Sequence, residues 1–324
     1  MTQRTKTHRF AKIMLCAGII WLGAFQVSGQ PTVISNASAA TAVNPDAPAP
    51  EPLRRFAADT IQQLAANAPF SGWSTAKPII EPLGPGTHSW LVTLSSGTST
   101  STAPLGYLII SATPDGDYKL VEYGLGENSL YAKPTLESGL AGLGLAKKTK
   151  SLPTVTPVYA GPVLAEWMVR AAGKTGPVHF LDALTGERLP ESLQSWNKQA
   201  ASYVPPSAAA GSDQKSLAVA ATTRHADLFD PYDNILWMAG EPIQTGADRF
   251  EELLADYKRL VFVTNGPERT YSIPLPIIGY QKWSADPQSS GEDAIYVLTG
   301  SDTAQRWIAL DALKQSGKFV AYTD

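Results

Sequence analysis

One cysteine and four histidines are all that 324 residues hold of the two side chains most used in thiolate, zinc and general-base chemistry. The cysteine, Cys16, sits inside an apolar run near the amino terminus, Ile13 to Val27. Without that run no thiol remains, which excludes structural disulfides, thiolate zinc sites and cysteine nucleophiles together. Charge is also scarce: 17% of residues are charged, with 29 acids against 26 bases. A chain so balanced has no electrostatic footprint for nucleic acid or for an anionic lipid surface. Only one long apolar stretch exists, and it is shorter than the ~20 residues that a spanning helix needs. A polytopic membrane protein is excluded. There is no His-Glu-x-x-His, no Gly-x-Ser-x-Gly elbow and no phosphate-binding glycine loop; Gly124-Leu125-Gly126 is too short a match to carry one.

The amino terminus reads as an address. Arg4, Lys6, Arg9 and Lys12 precede the apolar run without an intervening acid, and small residues follow it at Val27-Ser28-Gly29 and Ala37-Ser38-Ala39. Positive flank, short apolar stretch and small-x-small site make a secretory signal peptide over residues 1–39, and so a secreted or cell-envelope protein. The alternative is an uncleaved signal anchor, which would be the chain's only membrane contact. Lipid attachment at Cys16 is disfavoured because Ile13-Met14-Leu15, not small residues, precede it. Removing four of the 26 bases and none of the 29 acids takes the net charge from −3 to −7.

Beyond the leader, residues 40–52 are an Ala/Pro-rich, flexible lead-in. Leu53, Phe56, Ala57, Ile61 and Leu64 recur near the helical period. Strand-like runs follow at Ser89–Leu94, Leu105–Ile110 and Tyr118–Tyr123, the last two around a Pro114-Asp115-Gly116 turn, with a Gly/Ser/Thr loop from Ser95 to Thr102. Val155–Tyr159, Val163–Val169 and Val178–Leu181 add three more. Residues 190–224 lose their pattern and read as an Ala/Ser/Pro-rich linker. From residue 225, a helical stripe (Phe250, Leu253, Leu254, Tyr257, Leu260) precedes short strands. These are Val261–Val263, Thr270–Leu275 after an Asn265-Gly266 hairpin dipeptide, Ile277–Trp283, Ala294–Leu298, Arg306–Leu310 and Lys318–Tyr322. The expected fold class is α+β, with a helix packed on an antiparallel sheet over 53–189 and a small helix-and-β module over 225–324.

Candidate chemistry is thin. His88, His179 and His225 are the imidazoles outside the leader. A serine triad needs one of them beside a hydroxyl and a carboxylate. Ser89 adjoins His88 in sequence, but neighbouring strand residues point to opposite faces. Asp227, Asp230 and Asp233 stand three residues apart, at a spacing unlike a calcium loop, and read better as a turn that caps a neighbouring element. Glu251-Glu252 suits a solvated helix face, and Glu122 lies within a strand with no partner that the sequence can name. Seven tryptophans lie outside the leader. Core packing is their default role, and Trp196, in a polar stretch, is the one best placed to stack on a ligand. No catalytic, cofactor or metal residue is assigned.

The stretch Gly161-Pro-Val-Leu-Ala-Glu-Trp-Met-Val169, followed by Pro177-Val-His-Phe-Leu-Asp-Ala-Leu-Thr-Gly-Glu-Arg-Leu-Pro190, resembles PepSY-type and related propeptide-like modules of secreted bacterial proteins. The resemblance spans residues 53–190. It implies inhibition or chaperoning of a peptidase, or sensing at the envelope. The expected function is a secreted, non-catalytic binding or regulatory protein, with an extracellular peptidase or a cell-wall component as partner and no nucleic acid. The alternatives are an extracellular hydrolase with a serine- or aspartate-based site, and a wall-binding module.

Overall fold

The computed structural model describes residues 49–84, 88–96, 104–126, 128–145, 152–171, 176–207, 217–265, 269–285 and 292–323. The α+β expectation does not hold. The protein is mostly β, built from an 11-stranded sheet and a 4-stranded sheet, with every pairing antiparallel.

The large sheet begins with a meander of β1 (Lys77–Leu83), β2 (Ser89–Ser95), β3 (Pro104–Ala112) and β4 (Tyr118–Leu125). Its other half holds β11 (Leu260–Thr264), β12 (Pro274–Ser284), β13 (Ala294–Ser301), β14 (Ala304–Ala309) and β15 (Gly317–Ala321). The strand order is β1-β2-β3-β4-β14-β13-β12-β11-β15, and the short β9 (Ala218–Val219) and β10 (Thr223–Arg224) hydrogen-bond to β12. The halves join where Glu122, Tyr123 and Gly124 pair with Ile308, Trp307 and Arg306. The segments expected as separate modules therefore share one sheet. The small sheet is the up-and-down run β5 (Thr154–Tyr159), β6 (Ala165–Arg170), β7 (Val178–Asp182) and β8 (Arg188–Leu189).

Local patterns explain most elements. In α1 (Glu51–Ala65), Leu53, Ala57, Thr60, Ile61 and Leu64 are buried at helical spacing, and Pro52 stands in the first turn, where no intrahelical N–H bond is lost. β3 and β4 are buried on both faces, so their apolar runs are continuous rather than alternating. Residues 270–283, expected as two strands, instead carry the single strand β12 from Pro274, with a register shift between Ile277 and Gly279. The expected linker also contains structure. α3 (Leu193–Ser202) starts with a capping box between Ser192 and Ser195. The Ser95–Thr102 loop from residue 97 onward and Gly266 of the hairpin dipeptide lie outside the described residues.

The two faces of β4 carry opposite chemistry. Tyr123 faces an aromatic core: its ring stacks on Trp307 at 5.7 Å and meets Phe70 edge-on at 5.4 Å. α1 belongs to the same core. Glu122 faces the other way, toward β5 and the small sheet. α2 (Lys133–Gly142), α4 (Phe250–Asp256) and α5 (Leu310–Lys314) complete the α-helices among the described residues.

Candidate functional site

On its inner face the large sheet carries a buried charge. Glu122 is 0% exposed and receives Arg306 Nη2 at 2.8 Å and Nε at 3.3 Å. The Tyr107 hydroxyl donates to the same carboxylate at 2.6 Å, and Tyr159 reaches it at 3.5 Å. Arg306 Nη2 also donates to the Pro162 carbonyl at 2.8 Å, which ties the sheet to the loop between β5 and β6. Burial works against the guanidinium's charge, but Glu122 beside it holds the Arg306 pKa above its ordinary value. Burial, with Glu122 adding to it, pushes the Tyr107 phenol well up, so it stays a donor. Gly124 has a packing reason: a Cβ there would clash with Tyr107 Cε1, on the ring that reaches Glu122.

Arg306 also lines a cleft of about 600 Å³ between the two sheets. Its walls are largely apolar and include Leu130, Val163, Leu189 and Leu275. Three carboxylates stand in the lining, Asp182, Glu187 and Asp230, against the single arginine. Asp182 is held in place because its Oδ1 accepts the Leu184 and Thr185 amides at 2.8 and 2.7 Å. Gly186, at φ 73°, then turns the chain back into β8. This is the Asp-Ala-Leu-Thr-Gly-Glu stretch of the sequence.

A segment at the cleft carries a cluster of exposed apolar side chains. Tyr232, in the lining, is 65% exposed, and Ile235, Leu236 and Met238 follow at 58%, 64% and 67%. Beneath them, Pro231 and Trp237 are buried, and Trp237 Nε1 donates to the Pro231 carbonyl at 2.7 Å. The buried indole holds a short knuckle whose large apolar side chains face outward. Exposed Asp227, Asp230, Asp233 and Glu241 surround it in sequence.

Deeper, Glu166 of β6 is 1% exposed. Its Oε1 lies 3.2 Å from the Tyr271 hydroxyl, which is also 3.1 Å from Glu191 Oε2. One hydroxyl has one proton and donates to one carboxylate only. Burial first, and then the charge of Glu191, push the Glu166 pKa up to about 8 against the pull of Arg269 and Tyr271. At neutral pH Glu166 is therefore protonated. The Tyr271 hydroxyl stands between the two carboxyls with one proton to give.

The residues singled out in the sequence do not converge. His88 is exposed, while Ser89 is buried and pairs with Ser111 Oγ at 2.6 Å. His225 Nε2 bonds the Tyr257 carbonyl at 2.9 Å. His179 lines a second hollow of about 410 Å³ with Ser138 and Glu187, but no hydrogen bond joins the three among the described residues. Asp230 accepts the Tyr232 amide and caps the turn at Pro231–Asp233. No group of three His, Asp or Glu side chains placed to hold a metal occurs among the described residues. Glu251 pairs with Lys282 and Glu252 with Arg249 on an exposed helix face. Trp196 is not an exposed platform: it is 3% exposed and stacks on Phe180 at 6.2 Å. Glu122, unassigned in sequence, lies at the centre; its partner Arg306 is 184 residues away, a pairing that local pattern does not reveal.

No family model matches the chain, and no curated protein or solved structure is significantly similar to it. No helix among the described residues is long and apolar enough to cross a membrane.

Proposed function

We propose that the protein is a secreted, non-catalytic binding protein of the cell envelope that docks a basic, apolar polypeptide segment along the cleft and its knuckle. The observation that carries this reading is the knuckle itself. Four large apolar side chains within seven residues are more than half exposed, on a turn held by a buried tryptophan and bordered by carboxylates. Contiguous exposed apolar surface with a polar rim marks an interaction site, and an acidic rim selects a cationic partner. The resemblance to propeptide-like modules implies a peptidase as the partner that presents such a segment. Among the described residues the scattered histidines give no hydroxyl an activating base, and the buried indoles offer no stacking row for a wall glycan.

The test uses a fluorescein-labelled peptide of alternating leucine and lysine, and anisotropy as the readout. Saturable binding is expected. Leu236→Asp weakens it at least tenfold while leaving the melting temperature unchanged, and a leucine/serine peptide of equal length binds more weakly. Absence of saturable binding overturns the reading, as does turnover of peptide or ester substrates by the purified protein.

A further inference from the structure

Thr299 is 0% exposed, lines the cleft, and its Oγ1 is buried without a hydrogen-bond partner. A buried hydroxyl left unpaired is costly and calls for an explanation. Directly across the β13–β14 ladder from Thr299 is Arg306. Opposed residues of an antiparallel pair project from the same face with their Cβ atoms about 4.5–5.5 Å apart. Arg306 is 6% exposed, and its Nε and Nη2 are taken by Glu122 and the Pro162 carbonyl. Nη1 makes none of these bonds.

We infer that Thr299 and Arg306 form a receptor for the terminal carboxylate of a peptide, a deepening that rests on the reading of the cleft as a polypeptide site. A hydroxyl and a guanidinium N–H on one face match the two oxygens of a carboxylate; because Thr299 is fully covered, the cleft lining must part for a carboxylate to reach its hydroxyl. The rim decides what carries that carboxylate. Asp182, Glu187 and Asp230 repel a free anion, and Glu122 already neutralises Arg306. A simple inorganic anion is therefore disfavoured. A carboxylate borne on a chain with a lysine or arginine close to its end meets both the paired donors and the acidic rim. The ligand class is a peptide with a free carboxy terminus and a basic residue near it.

The experiment compares Ala-Leu-Lys-Leu, labelled at its amino end, as the free acid and as the carboxy-terminal amide, by anisotropy on the whole protein. The free acid is expected to bind at least tenfold tighter, the range of one charge-assisted hydrogen bond. Thr299→Val keeps the shape, removes the hydroxyl, and is expected to bring the acid-to-amide ratio toward one. Its melting temperature should stay level or rise, because an unpaired buried hydroxyl is gone. Equal binding of acid and amide overturns the carboxylate receptor and leaves the cleft as a peptide site. An acid preference that survives Thr299→Val overturns the assigned pair. Binding of neither peptide overturns both this inference and the reading beneath it.

Discussion

Replacing Glu166 with glutamine removes one ionisation from the interior without removing bulk. The carboxyl is raised to about 8 in the folded protein, against an ordinary value of 4.5. Its folded pKa lies above its unfolded one, so its favourable contribution is complete below the unfolded value and is lost as pH rises through the folded one. Between about pH 4.5 and 8 the unfolded chain has already released the proton that the folded chain still holds. Stability then falls with pH by about 1.4 kcal/mol per unit from this group alone. Glutamine titrates in neither state and still offers a donor to Tyr271. Wild type and Glu166→Gln should be nearly equal in stability at pH 4. The variant should be more stable at pH 7 by about 3 kcal/mol, and the gap should level off above the folded pKa. Urea unfolding of both proteins in half-unit steps from pH 4 to 9 measures this, and contributions from groups remote from Glu166 cancel in the difference. A gap that stays flat across pH 5–8 refutes the raised pKa of the buried Glu166 carboxyl.

Other outcomes follow from the same packing. Glu122→Gln or Arg306→Met alone should cost about 3–5 kcal/mol, because each leaves a buried charge uncompensated. The double variant should cost much less than the two added together, as a chemical-denaturation cycle would reveal. Gly124→Ala should destabilise by about 1–3 kcal/mol, since the new methyl meets the Tyr107 ring and the Gln305 carbonyl; an unchanged melting curve would contradict that contact. Trp237→Ala should cost about 3–5 kcal/mol by emptying the space beneath the knuckle. It should also abolish binding of the leucine/lysine peptide, whereas Leu236→Asp should affect binding only.

Local elements were legible where one face of a segment meets water or where apolar runs are bounded by turns. The α1 stripe and the Tyr118–Tyr123 strand lie in the sequence about where the fold has them. β1 was not legible, because Pro78 and Pro82 interrupt it; it survives because it is an edge strand, where proline costs little. α3 was hidden by a serine- and glutamine-rich surface that left only Trp196 and Gln199 buried. The fold class was misread for a different reason. Periodicity reports what a segment is, not which distant strand it joins, and the seam between β4 and β14 is a distant pairing. The candidate site shares that fate. Glu122 was visible as an oddly placed acid, whereas Arg306, Thr299 and the Glu166–Tyr271–Glu191 chain come together only through the assembled sheets.

That seam has a kinetic consequence. The middle of the large sheet cannot close until residues near 308 are available to meet those near 122. Until then the amino-terminal meander must wait with β4 as a bare margin, its backbone donors and acceptors open to any passing strand. Loop closure over such a separation is slow compared with the hairpins on either side. Refolding from denaturant should be governed by this late docking of the halves, and crowding the unfolded chain should divert it into intermolecular pairing.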